Sequence, residues 1–176
     1  KIIPTIITKL IENIQKELKG KSDKIKNAIL QLLSSLALVA PTYIVSNLDN
    51  LIPLLEDSMV DNLSTLTVYI FYARLLKSVK NCEGITNYFD LFVNLFRKGI
   101  THDYYKVNIE SLNMIFYLII ILSEYLQPAE YKNILNTFVK PQDFHYDPYL
   151  KEKLTTWDLR DKIKEEIIKG SGRVNT

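Results

Sequence analysis

The chain reads as all-α, and three observations carry that reading. Apolar residues recur at spacings of three and four almost throughout, the period of a helix with one buried face, and no stretch alternates as a half-buried strand would. Five Gly and six Pro in 176 residues are too few for a loop-rich β-fold. Helix pairs also repeat. Ala28, Thr67 and Ser111 are small residues flanked by large apolar ones, early in successive second helices, 39 and 44 residues apart. Two-helix units with a period near 40 residues are the signature of an α-solenoid, an armadillo/HEAT-type superhelix of antiparallel hairpins stacked on one another.

The elements follow in order. "KIIPTIITKLIENIQKELKG" places Ile3, Ile6, Ile7, Leu10, Ile11 and Ile14 on one helical face. Pro4 fits a first turn and Gly20 a helix end. In "SDKIKNAILQLLSSLALVAP", Ser22 or Asp23 caps the start and Pro41 stops the far end. Its stripe is Ile25, Ala28, Ile29, Leu32, Leu33 and Leu36. The short link predicts an antiparallel hairpin with the first helix. "YIVSNLDNLIPLLEDSM" is a helix bent at Pro53, and "DNLSTLTVYIFYARLLKSV" is its partner, capped by Asp61. "ITNYFDLFVNLFRKGI", stopped at Gly99, pairs with Asp103–Leu126, capped by Asp103. A short helix ending at Pro141, a turn-rich "QDFHYDP" and a last helical stretch broken near Thr156–Asp158 complete the chain. The expected organisation is one solenoid over 1–176, with repeats 1–41, 42–80, 81–128 and a partial 129–176. The start at Lys1 without Met and the linker-like "KGSGRVNT" read as a piece of a longer protein.

Met114 to Leu122 carries no charge. A membrane span needs roughly 20 predominantly apolar residues, and Asn108, Glu110 and Asn113 on one side and Glu124 on the other cut the run short. It reads as a helix buried between neighbouring hairpins. A net charge of +2, from 22 basic and 20 acidic residues, gives no electrostatic case for nucleic acid or an anionic membrane as partner. The single Cys82 excludes an internal disulfide framework and points to a reducing compartment.

Little chemistry is visible. Cys82 needs a base within hydrogen-bond reach to act as a nucleophile, and nothing in the sequence brings His102 or His145 to it. The two histidines, with Asp103 and Asp147, lack a third close metal ligand and read as turn and cap residues. Glu56-Asp57 lies at a helix end. Glu165-Glu166 belongs to a stretch of i,i+4 pairs, Asp158–Lys162, Lys162–Glu166 and Glu165–Lys169, that marks a solvated face. No catalytic, cofactor-binding or metal-ligating residue is assigned, and no cofactor is expected. The candidate partner surface is Tyr104 and Tyr105, at a helix start, with Lys162 and Glu166 on the charged stretch. Tyr117 reads as core.

Three segments resemble the cullin-associated, neddylation-dissociated proteins, also described as TATA-binding-protein-interacting proteins. They are "DNLSTLTVYIFYARLL", with its Asn62-Leu63 start, and "DYYKVNIESLNMIFYLIIIL", with Asp103, Tyr105-Lys106-Val107 and Glu110-Ser111-Leu112. The third is "DPYLKEKL", with Pro148-Tyr149-Leu150-Lys151. The order and spacing fit over about residues 22–154, whereas 158–172 has no counterpart and reads as an insertion. The resemblance implies a long HEAT solenoid, not an enzyme. Such a protein binds an unmodified cullin with its RING subunit and promotes substrate-receptor exchange on cullin-RING (SCF) ubiquitin ligases, in cytoplasm and nucleus. A central piece would act as curved spacer and contact surface, itself monomeric, and no functional residue is carried over. The alternative is another HEAT scaffold, such as a nuclear-transport receptor or a phosphatase scaffold subunit.

Overall fold

The computed structural model describes residues 2–20, 22–79 and 83–122. The chain divides into two units, Lys1–Asn87 and Tyr88–Thr176. All regular structure among the described residues is helical. Unit one holds α1 (Ile2–Leu18), α2 (Asp23–Val39), α3 (Pro41–Ser46), α4 (Leu48–Ser58) and α5 (Asn62–Ser78). A 3-10 segment, Glu83–Tyr88, leads into unit two, where α6 (Phe89–Ile100) and α7 (Tyr105–Leu122) are described. The partial fourth repeat, the break near Thr156–Asp158 and the insertion at 158–172 lie outside the described residues.

Helix ends follow local chemistry. α1 closes at Leu18, and the amide of Gly20 then donates to Glu17 O at 3.0 Å. A Cβ on Gly20 would stand 3.0 Å from that same carbonyl oxygen, so the turn favours glycine. Ser22 caps α2 through a long bond, Ile25 N to Ser22 Oγ at 3.5 Å, and Asp23 occupies the first turn. Ala40 leaves the helical conformation ahead of Pro41, as residues before proline do, and Pro41 then serves as the first residue of α3. Asp61 caps α5 with a full capping box. Its Oδ1 accepts from Ser64 N at 2.7 Å, and Ser64 Oγ accepts from Asp61 N at 3.1 Å.

Two expectations change in this region. The helix expected over 43–59 is two helices, divided at Asn47. Asn47 Nδ2 donates to Tyr43 O at 2.8 Å and its own amide closes on Ile44 O, an alternative to continuing the helix. α4 then runs through Pro53 to Ser58. The expected face of α2 is also rotated. Leu30, Leu33, Ser34, Leu36 and Ala37 are its buried residues, while Ala28 is exposed and Ile25 and Leu32 are 48% and 38% exposed. On α1, Ile11, Ile14 and Leu18 are buried and Ile6 stays out in solvent.

In unit one α1 packs against α2, α3 and α4, and α4 against α5. The most extensive contact is between the two second helices, α2 and α5. Ile11, Ile14, Leu30, Leu33, Leu48, Leu51, Leu55, Phe71 and Tyr72 form its fully buried core. α5 is buried on most of its circumference, through Ser64, Thr65, Thr67, Val68, Tyr69, Phe71, Tyr72, Ala73, Leu75 and Leu76. Burial pushes the phenols of Tyr69 and Tyr72 well above their ordinary range, with the Glu56 carboxylate adding to the rise at Tyr72. Unit two pairs α6 with α7 around Phe92, Phe96, Ile100, Val107, Ile115 and Leu118. Two of the three small residues that mark the repeat behave alike. Thr67 and Ser111 are buried and return their hydroxyls to the carbonyls of Leu63 (2.9 Å) and Val107 (2.7 Å). Ala28 does not join them.

Candidate partner surfaces

Two places on the described chain combine exposed apolar or aromatic area with a positioned charge. The first is the corner between α6 and α7. Arg97 and Lys98 lie in the last turn of α6, where cations suit the helix C-terminus. Thr101 Oγ1 bonds back to Arg97 O at 3.1 Å, and the amide of His102 reaches Gly99 O at 3.3 Å. The buried Asn108, on α7, ties the corner together: its Nδ2 donates to Gly99 O at 2.6 Å and to His102 O at 2.9 Å. Gly99 is therefore inside the last turn of α6 rather than its stop, and it is held from the next helix.

The α7 start differs from the expected one. Asp103 makes no capping bond among the described residues and is exposed. The helix begins at Tyr105, with Tyr104 O accepting from Val107 N at 3.0 Å, which leaves Asp103 one residue too far upstream. The amide of Tyr104 donates instead to His102 Nδ1 at 3.0 Å. His102 is thus a turn residue whose Nδ1 is engaged by the backbone.

The predicted pair Tyr104 and Tyr105 stands on this corner, half-buried, edge to face with ring centroids 5.7 Å apart. The Lys106 ammonium lies 6.0 Å from the Tyr104 ring centroid. Two rings held by a hydrogen-bonded turn offer contact area at low entropic cost. Tyr117 is half-buried against Phe116, centroids 5.3 Å apart, and so is not fully core. The other two predicted partner residues, Lys162 and Glu166, lie outside the described residues, as do Cys82, His145 and Asp147. Among the described residues no three His, Cys, Asp or Glu side chains gather as a metal site, and no helix is long and apolar enough to cross a membrane.

The second place is the seam between α2 and α5, and the sequence reading missed it. Arg74 Nη1 donates to Ser34 Oγ at 2.9 Å across the seam. Ser34 is buried and Arg74 half-buried. Leu38, one turn beyond Ser34, is 44% exposed, and Leu63, on the outer face of α5, is 56% exposed. The available signal was Arg74 itself, the only charge between Leu63 and Leu76.

No family model, no curated protein and no solved structure matches the chain.

Proposed function

We propose that the chain is a non-enzymatic helical-repeat scaffold that binds protein partners through the outer faces of stacked hairpins. The observation that carries this reading is the packing of second helix on second helix in unit one. α2 and α5 make its most extensive contact and are tied at Ser34 and Arg74, forty positions apart, close to one expected repeat. Hairpins stacked side by side bring equivalent helices together in this way. The paired Tyr104 and Tyr105 supply the kind of aromatic contact that anchors protein interfaces.

The finer reading rests on the residues that resemble the cullin-associated, neddylation-dissociated proteins. On it, the partner is a cullin with its RING subunit, the process is substrate-receptor exchange on cullin-RING ubiquitin ligases, and the site of action is cytoplasm and nucleus. Affinity isolation of the tagged protein from its own cells tests it. Recovery of cullin lacking its ubiquitin-like modifier is the expected result. Recovery of nuclear-transport cargo or phosphatase subunits in its place overturns the cullin assignment.

A further inference from the structure

We infer that the α2–α5 seam is a docking surface for an acidic, apolar segment of a partner protein, with Arg74 as its anchor. The inference rests on the scaffold reading and names the chemistry that one of its faces recognises.

The argument starts from charge. α5 contains no Asp or Glu, and α2 has only Asp23, in its first turn. From Ala28 to Val39, α2 carries no charge at all. The seam therefore has cations, Arg74 and Lys77, and no anion of its own along either helix beyond the first turn. Among the described residues the Arg74 guanidinium has one polar partner, the neutral Ser34 hydroxyl, and no carboxylate. A guanidinium carries five N–H donors in a rigid fork that suits a carboxylate in bidentate fashion. Here one donor is used, and that bond fixes where the others stand.

The surroundings set the rest of the ligand. Ile70 and Lys77 lie one turn to either side of Arg74 on α5, Ile70 half-buried and Lys77 exposed. Leu38, one turn beyond Ser34 on α2, is an exposed apolar side chain, whereas Leu63 lies eleven residues from Arg74 along α5, about 16 Å away. A half-desolvated cation beside apolar surface strengthens its pairing with a carboxylate relative to open water. An occupant that satisfies all of these carries carboxylates next to leucine-like side chains, and a basic segment is repelled.

The test uses a short fluorescein-labelled peptide of glutamates and leucines at helical spacing, with its lysine–leucine counterpart as control, followed by fluorescence anisotropy. The wild-type chain binds the acidic peptide and not the basic one. Arg74→Gln weakens binding about tenfold, roughly what one charge-assisted bond contributes. Arg74→Lys, which keeps the charge and loses the fork, falls between. Leu38→Ser, on the exposed flank, weakens binding with the helical circular dichroism spectrum unchanged, and it decides the matter if Arg74→Gln fails to fold. Equal binding of acidic and basic peptides, or undiminished affinity in Leu38→Ser, overturns the inference. Self-association lost in Leu38→Ser overturns it in favour of a second copy of the chain, and preference for a single-stranded oligonucleotide overturns it in favour of nucleic acid. Recovery of cullin by an Arg74→Gln protein whose peptide binding is unaltered leaves the scaffold reading standing and removes the seam.

Discussion

α2 and α5 have the same length and face each other, yet they are built differently. α2 has more apolar residues than one packed face needs. Its buried side runs through Leu30, Leu33, Ser34 and Ala37, and a second apolar stripe, Ile25, Leu32 and Val39, stays partly or largely in solvent. α5 buries residues around most of its girth and leaves a narrow outer strip holding Leu63 and Arg74. A surplus of leucine on a helix thus says that it is buried somewhere, not which side. Period identifies the element, and the neighbours choose the face.

The largest effect that sharpens this contrast comes from truncating opposite sides of α2. Leu33→Ala removes a side chain with 0% exposure and lowers stability by about 2–5 kcal/mol. Leu32→Ala, next in sequence, costs about 1 kcal/mol or less. Urea unfolding of both variants reads the difference, and equal losses would break the assignment of the buried face.

On α5, spectrophotometric titration at alkaline pH is the next probe. Tyr69 and Tyr72 have phenol pKa values raised in the folded chain. The stability they contribute is present below the unfolded value of about 10 and is lost as pH rises above it. Tyr69 and Tyr72 should therefore resist ionisation until the helical signal collapses. Ionisation of every tyrosine near the ordinary value, with helicity intact, contradicts the burial of α5.

Ser34→Ala tests the contact between the two helices. It removes the acceptor of the Arg74 bond and should cost about 1 kcal/mol, with Arg74→Ala in the same background costing less than it does alone. Additive losses would show that the two side chains are not coupled.

The smallest effects compare the caps. The Asp61 carboxyl is held below the ordinary carboxylate range, first by the Ser64 amide and then by the Ser64 hydroxyl. A depressed folded pKa gives stability that is present above about 3.9, the unfolded value, and is lost as pH falls below it through the folded one. Asp61→Asn should flatten that part of the acid unfolding curve, whereas Ser22→Ala, whose bond is 3.5 Å long, should leave its shape alone.

Much of this architecture was legible in the residues. The Asp61 cap, the hairpin turn at Gly20 and Ser22 and the stop before Pro41 are local signals, and local chemistry settles them. What was not legible depended on partners. The face of α2 is set by α5. The break at Asn47 is set by a side chain that competes for the carbonyl of Tyr43, and α7 starts at Tyr105, which leaves Asp103 one residue upstream of the cap position. Of the four residues singled out for a partner, Tyr104 and Tyr105 stand together on one corner. Arg74 went unremarked because a lone cation in an apolar helix has meaning only once the neutral hydroxyl opposite it is seen.

Asn108 and Arg74, which both bond across a pair of helices, differ in how much chain each must gather. Asn108 reaches back nine residues to Gly99, while Arg74 reaches back forty to Ser34. Each doubling of a closed loop costs only about 0.6 kcal/mol, but contacts close in sequence form sooner. The α6–α7 corner therefore forms early and the α2–α5 seam late. Amide protection in a pulse-labelled refolding experiment should reach Asn108 before it reaches Arg74.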